Sequence, residues 1–414
     1  MADLPGYDHA INQTLSGVSA LPSESCPLDW VAKRILRQNV AADRDQPPFD
    51  RAAMDGFALR AASWRTNKAF RVAGDVPAGG RLSEDTAIDP TVDVVRIATG
   101  AAVPDVFDAV IQIEKAQVGG DPPTVVFDLD AAAPGLNIHR RGADAATGNV
   151  VLRAPAVLAP HHLGIAAAVG ASRLTVARQP RAVVLSSGDE VKPADTPTPE
   201  LEPQHIRNSN GPLLVALLRA TGAEVLRHEH VVDEAGPVQE ACARAAADAD
   251  LVVTAGGVSV GRRDLFPTVW PDLGYETVLH GVKMQPGKPV FVARPTSSEG
   301  ALVLGLPGNP VSVWATAHLF VWPAVRKALG LDPGLPWRRV VLASPAKANP
   351  RREAFRAARF VGQGEQRVEV VAWQGSGDLM HTAVADGLLR LPAQEGRVEA
   401  QTELWFLPVL GGGS

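Results

Sequence analysis

Asp250-Leu251-Val252-Val253-Thr254-Ala255-Gly256-Gly257-Val258-Ser259-Val260-Gly261 is the stretch on which the fold turns. Its uncharged run from Leu251 reads as a strand buried on both faces. The glycines that follow read as a loop whose exposed amides can cradle a phosphate. Asp264 follows three residues on. No Gly-Lys-Ser/Thr completes a Walker A loop, and Val258 stands where the dinucleotide fingerprint needs its second glycine. A plain glycine turn at the end of a parallel strand explains these residues equally well.

Working outward, the chain alternates from Arg181 onward: strand 182–186, helix 212–219, strand 224–232, helix 234–247, then the strand from Leu251. Apolar strands at 289–293 and 301–305 and a helix from Pro310 to about Leu329 continue the pattern. This is βαβ grammar, and it predicts a doubly wound parallel sheet with ligands outside the carboxyl ends of its strands. The Pro- and acid-rich segment 192–204 reads as an exposed loop.

Two further loops belong to the same sheet. Gly305-Leu306-Pro307-Gly308-Asn309-Pro310-Val311-Ser312 places Asn309 as a helix N-cap and Pro310 at the first helical position. That helix start offers amides and a positive dipole end to an anion, although a well-capped structural helix accounts for the same residues. Lys283-Met284-Gln285-Pro286-Gly287-Lys288-Pro289 sets two lysines around a Pro-Gly turn that leads straight into a strand. Lysine is a compact, mobile charge suited to phosphate, and surface lysines at a turn are the plainer reading.

Before residue 181, apolar Leu28, Val31, Ala32, Ile35 and Leu36 share one helical face and predict an amphipathic helix ending before Pro47-Pro48. Short β-type runs at 92–97, 109–113 and 124–129 predict a small β insertion, and the Ala-rich 160–169 a helix stopped by Gly170. Asp55-Gly56 and Gly142-Ala143-Asp144 each set an acid beside glycine, a pattern common in hairpin turns. After Gly330-Leu331-Asp332-Pro333-Gly334, strands at 338–343, 367–373, 387–391 and 402–407 predict a compact C-terminal β domain.

At 414 residues, two or three domains are expected on length alone. The 46% hydrophobic and 21% charged composition is that of a globular chain. A formal charge of −5 gives no basic footprint for nucleic acid. Only Cys26 and Cys242 occur, too few for a disulfide framework, and none of the ten histidines falls in a His-Glu-x-x-His pattern. No Gly-x-Ser-x-Gly elbow supports a hydrolase. With no signal-like N-terminus and no apolar run long enough to span a bilayer, the chain reads as cytoplasmic with no membrane partner.

Together these stretches resemble the molybdopterin molybdenumtransferase family of the MoeA type, related to the E domain of gephyrin. The resemblance runs in order from about Leu28 to Leu407. It is carried by Pro47-Pro48-Phe49-Asp50 through Met54-Asp55-Gly56, Ile97-Ala98-Thr99-Gly100-Ala101, Gly142-Ala143-Asp144, Ser187-Gly188-Asp189-Glu190 and Asn208-Ser209-Asn210. Further carriers are the Gly256–Gly261 loop with Asp264, Pro286-Gly287-Lys288-Pro289, Gly305 to Ser312, and Gln374-Gly375-Ser376-Gly377.

The resemblance implies an α/β plus β, multidomain fold. Its parts are a discontinuous N-terminal helical linker domain (1–46 and 150–178), a small β insertion (47–149), a doubly wound parallel-sheet molybdopterin-binding domain (179–330) and a β-barrel-like C-terminal domain (331–410). It implies a homodimer with each active site shared between subunits, and a magnesium-assisted reaction that inserts molybdenum from molybdate into adenylylated molybdopterin and releases AMP. Family acids match Asp55, Asp144, Glu190, Asp233 and Asp264, with Asp233 and Asp264 favoured for magnesium. Thr99 matches a family threonine. Gly256, Gly257, Ser259, Pro307, Gly308 and Asn309 would hold pterin and nucleotide phosphates, Gly287 would belong to the same substrate site, Lys288 would neutralise anionic charge, and Ser376 would touch the pterin side. A molybdopterin adenylyltransferase and molybdoenzymes are the implied protein partners.

Many relatives have Glu where Ala143 stands, Lys where Gly281 and Gln285 stand, and Asn-Ser where Arg51-Ala52 stand. Lys283 offers a nearby replacement charge. Two other functions fit parts of the chain: a scaffold that binds the pterin without turnover, and a molybdopterin adenylyltransferase, whose related domain shares the Gly-Gly loop. Asp55 and Asp264 speak against the first, and the extra β domains against the second.

Overall fold

The computed structural model describes residues 4–258, 265–297 and 300–410. These form two compact units, Ser25–Val176 and the rest of the chain. The second unit opens with helix α1 (Tyr7–Ser16), which buries Tyr7, Ala10 and Thr14 at helical spacing. The Tyr7 ring meets Phe320 and Phe355 edge-on at 5.8 and 5.1 Å.

In Ser25–Val176 the helix expected over Leu28–Leu36 does not form. Leu28–Trp30 is one 3-10 turn and Ile35–Leu36 a short strand. Between them Lys33 lies at φ 64°, a left-handed conformation that a right-handed helix cannot pass through. Val31 and Leu36 are nevertheless fully buried in one core cluster, so the apolar spacing belonged to a turn plus a strand.

The insertion is a six-stranded sheet of β1 (Gly56–Leu59), β2 (Phe70–Val76), β3 (Asp93–Ile97), β4 (Ala109–Gln112), β5 (Ala116–Gly119) and β6 (Thr124–Phe127). Their order is β4-β1-β3-β2-β6-β5. Only β2 and β3 pair in parallel. Helix α2 (Pro160–Ala168) follows, and Gly170 after it takes φ 76°, as a helix stop requires.

The larger unit holds a second six-stranded sheet: β7 (Arg181–Ser187), β8 (Glu224–Val231), β9 (Leu251–Ala255), β10 (Tyr275–His280), β11 (Phe291–Pro295) and β12 (Leu302–Leu306). The order is β8-β7-β9-β12-β11-β10. The four strands β8, β7, β9 and β12 are parallel, as the alternation predicted. β11 runs antiparallel to β12, and β10 antiparallel to β11, so the sheet is mixed at one edge. Helices α3 (Asn210–Thr221) and α4 (Ala235–Asp248) both pack on β7. The core under α4 and α5 (Phe266–Asp272) takes Val183, Leu185, Val252 and Val303 from alternate strand positions.

From Pro310 one continuous helical rod runs through α6 (Pro310–Thr316), a π turn at Ala317–Val321, and α7 (Trp322–Ala328). It leads to a closed five-stranded barrel of β13 (Arg338–Leu342), β14 (Glu353–Phe360), β15 (Arg367–Val370), β16 (Gly387–Leu391) and β17 (Glu403–Pro408). β14 pairs with both β15 and β16 and thereby closes the ring. No helix of the described residues is long and apolar enough to cross a membrane.

His318 ties the π turn to the end of the barrel. Its Nδ1–H donates to the Trp314 carbonyl at 2.8 Å, and its Nε2 accepts the Leu410 N–H at 3.3 Å. Burial holds its pKa below the ordinary histidine value. A histidine that is harder to protonate when folded leaves the unfolded chain binding more protons as pH falls. Its contribution is therefore intact above about pH 6.5 and lost below it, at up to about 1.4 kcal/mol per pH unit. Urea titrations at pH 7.5 and 5.5 should show a stability loss that shrinks in His318→Gln; equal losses in both proteins would remove His318 from the acid limb.

Candidate active site

The four parallel strands end at one cavity of about 1120 Å³. Gly256 and Gly257, immediately after β9, take φ of 90° and 60°. A Cβ on Gly256 would stand 2.9 Å from the Ser187 carbonyl oxygen. Two glycines are thus needed for the backbone to turn there and to pass so close to β7. The Pro307-Gly308-Asn309 loop, after β12, faces them: a Cβ on Gly308 would lie 3.5 Å from Gly256 Cα. Asn210 Nδ2 donates to the Gly308 carbonyl at 2.7 Å and fixes this loop to the start of α3.

Asn309 and Pro310 hold the N-cap and first helical positions, as expected, but the Asn309 side chain does not cap the helix. Its Nδ2 donates instead to Ser376 Oγ at 2.9 Å, and the Val311 N–H donates to the Ser376 carbonyl at 3.1 Å. The Val311 amide at this helix start is thus occupied by the loop between β15 and β16 and is not open to an anion. That same loop brings Gly377, Asp378, Leu379 and Met380 to the cavity wall.

Glu190 and Asp233 line the cavity at the ends of β7 and β8. The Asp233 N–H donates to Asp189 Oδ1 at 3.4 Å. Burial raises the Asp233 pKa above the ordinary value; a hydrogen bond from Ser187 opposes this, and the negative charges of Asp189 and Glu190 add to it. The half-buried Asp233 carboxyl thus lies within electrostatic reach of the exposed Asp189 and Glu190. Arg207, Asn208 and Asn210 also line the cavity; the Asn208-Ser209-Asn210 motif marks this segment in the sequence, but nothing in the sequence assigns its members separate roles.

Pro289 lies on the wall, whereas Lys288 is exposed and does not line the cavity, and Gly287 is buried beside Thr316 at φ 104°. Gly281 takes φ 102°, and a Cβ there would meet Leu4 Cδ2 at 2.9 Å, so a lysine at this position would be strained. Gln285 Oε1 accepts from Asn349 Nδ2 at 2.8 Å. Ser259 and Asp264 lie outside the described residues.

The remaining expected acids belong to the other unit, Ser25–Val176. Asp55 Oδ1 accepts the Thr99 N–H at 2.7 Å and the Thr99 hydroxyl at 2.9 Å. These two bonds hold the exposed carboxyl below the ordinary aspartate range, so it is ionised at neutral pH. Asp144 Oδ1 lies 2.9 Å from His139 Nε2. The two acids flank one short ribbon, in which Ala52 pairs with Ile138 and Arg51 with His139.

A mixed α/β sheet with a glycine-loop cavity at its strand ends, in one chain with a β insertion and a C-terminal barrel, defines a multidomain α/β protein with a ligand-sized site. A family model described as a probable molybdopterin binding domain matches residues 183–327. Models of the MoeA N-terminal region (domain I and II) and C-terminal region (domain IV) match 6–170 and 339–409. Molybdopterin molybdenumtransferase 2 of Mycobacterium tuberculosis is 34% identical over 391 residues, covering 91% of this chain and 93% of the relative. A Staphylococcus aureus molybdopterin molybdenumtransferase is 30% identical over 390 residues, covering 92% and 90%. A crystal structure of the molybdopterin biosynthesis MoeA protein from Pyrococcus horikosii superposes with a TM-score of 0.81 at 26% identity, covering 98% of this chain and 99% of that one. The chain belongs to the molybdopterin molybdenumtransferase family and is a transferase of molybdenum cofactor biosynthesis.

Proposed function

We propose that this chain, as a four-domain subunit of a cytoplasmic homodimer, inserts molybdenum from molybdate into adenylylated molybdopterin and releases AMP. The observation that carries the reading is the cavity in which two glycine-shaped loops meet a carboxylate corner. The Gly256-Gly257 turn and the Pro307–Asn309 loop bring backbone close enough to seat phosphates, with Asn210 and Ser376 holding the second loop in place. Arg207 on the wall and Lys288 near it supply positive charge to the anionic substrate.

The acids fit magnesium by chemistry: the cation takes oxygen ligands, keeps several waters, and needs only one or two carboxylates beside substrate phosphates. Among the described residues no group of three or more His, Cys, Asp or Glu is placed to hold a metal ion, so the magnesium reading rests on one or two carboxylates beside the substrate's own phosphates. Asp233 and Asp264 are the proposed ligands, with Glu190 beside them. Magnesium, when bound, offsets phosphate charge and polarises the phosphoryl oxygens. Asp55, Asp144 and Thr99 are proposed to complete the site from the partner subunit.

The dimer has support in Ser25–Val176. The α2 segment Pro-His-His-Leu-Gly-Ile-Ala-Ala-Ala is apolar over most of its surface, and Trp30, Val157 and Ile165 nearby are 77%, 52% and 37% exposed. The test mixes purified protein with adenylylated molybdopterin, magnesium and molybdate, and follows AMP together with active cofactor. AMP release that needs both magnesium and molybdate is expected. Consumption of ATP with non-adenylylated pterin would instead mark an adenylyltransferase, and tight pterin binding without turnover a scaffold.

A further inference from the structure

Between β7 and β8, four side chains link two backbone groups through one chain of hydrogen bonds. Asn208 Oδ1 accepts the Gly211 N–H at 2.9 Å, which orients the amide, and Asn208 Nδ2 donates to Ser186 Oγ at 2.9 Å. Ser186 Oγ lies 3.0 Å from His228 Nε2 and 3.1 Å from His230 Nδ1. His230 Nε2 lies 3.1 Å from the Gly188 carbonyl oxygen. A carbonyl only accepts, so the ring carries its proton on Nε2. With one proton per ring, Ser186 then donates to His230 Nδ1 and accepts from both Asn208 and His228. Ser186 Oγ thereby makes three hydrogen bonds, one donated and two accepted.

The Ser186 side chain is not poised as a nucleophile, because the residue is only 3% exposed. What the chain of bonds holds is a turn. The Gly188 carbonyl also accepts the Val191 N–H at 3.0 Å, which closes a turn with Asp189 and Glu190 between. Gly188 itself takes φ 136°, a conformation open to glycine, so this turn needs outside support to keep one geometry. The other end is equally specific: a Cβ on Gly211 would stand 2.0 Å from His228 Cε1, so the histidine fits only against glycine. Asp233 lies three residues after His230 on the same strand exit, and its N–H reaches Asp189.

We infer that His230 is a positioning residue: through Ser186, anchored by His228 and Asn208, it sets the Asp189-Glu190 turn against Asp233. The inference rests on the reading of these acids as a cation site, and its experiment separates the two. Deuterium exchange of the peptide spanning 187–192 is measured in the full-length protein, with manganese binding titrated in the absence of pterin. His230→Phe keeps a ring but loses both hydrogen bonds. Exchange in this peptide should rise, and the manganese dissociation constant should increase about fivefold to tenfold, the scale of one lost hydrogen bond.

Ser186→Ala should act alike, and the double variant should be no worse than either single, because both break one network. His230→Gln, whose Nε2 can still donate to the Gly188 carbonyl, should recover part of both effects, which a purely packing role would not predict. Unchanged exchange in His230→Phe overturns the inference whatever the metal does. Faster exchange with wild-type manganese affinity overturns the link between turn and site. If the wild-type protein binds no manganese, the cation reading fails, while faster exchange in His230→Phe still upholds His230 as the holder of the turn.

Discussion

Alanine at position 56 should disrupt the insertion sheet, while alanine at Gly119 in the same sheet should leave it intact. A Cβ on Gly56 would stand 1.9 Å from the Ile111 carbonyl oxygen, well inside any real contact, whereas nothing lies within 4 Å of one on Gly119. The obstacle is backbone, so no side-chain rotation relieves it. Gly56 sits between Ile97 of β3 and Gln112 of β4, and the strands must part to admit a methyl group. Overpacking usually costs about 1–3 kcal/mol, and parting a backbone pair at the centre of a sheet belongs at about 4 kcal/mol or more. At roughly 2–4 °C per kcal/mol for a unit of this size, the melting temperature should fall by about 10 °C. Calorimetry of Gly56→Ala beside Gly119→Ala decides the matter. Equal, small shifts would show that the sheet relaxes around position 56. Asp55 precedes this glycine and its carbonyl accepts the Ile113 N–H, so the same substitution should also displace Asp55 and abolish turnover.

This glycine shows what sequence can and cannot disclose. Asp55-Gly56 has the composition of a hairpin turn, yet Gly56 is the first residue of a central strand, demanded by a neighbour that is 55 positions away in the chain. Leu251–Ala255 is readable because a strand buried on both faces excludes charge along its whole length, and the glycines that follow it are required by their own backbone angles. The Leu28–Leu36 spacing misled because one left-handed residue, Lys33, turns helical periodicity into a turn and a strand. Strand β14 is not legible in the sequence because Glu353, Arg356 and Arg359 interrupt its apolar pattern. The antiparallel edge formed by β10 and β11 is likewise invisible, since hydrophobicity records burial and not strand direction. In the site, Gly256, Gly257 and Pro307–Asn309 announced themselves as local loops. The network of Ser186, Asn208, His228 and His230 did not, because the bonds that join Ser186 to the other three span 22, 42 and 44 positions of the chain.

Asp55 and Asp264 offer the sharpest test of the shared site. Asp55 sits in Ser25–Val176, held ionised by Thr99, and the α/β sheet with its cavity forms part of the other unit. If each active site draws Asp55 from one subunit and Asp264 from the other, Asp55→Ala and Asp264→Ala should each be nearly inactive as pure dimers. A mixed dimer places both lesions in one site and neither in the other. After random exchange half of the dimers are mixed, so roughly a quarter of all sites should be intact, as twofold symmetry requires. Activity should therefore return to about a quarter of the wild-type value from two nearly dead parents. The experiment dissociates the two variants together, reassembles them, isolates mixed dimers by two different tags, and assays AMP release. Isolated mixed dimers should then show about half of wild-type activity per dimer. Mixed dimers that form and stay as inactive as their parents would place Asp55 in its own subunit's site, or confine it to holding the Thr99 turn.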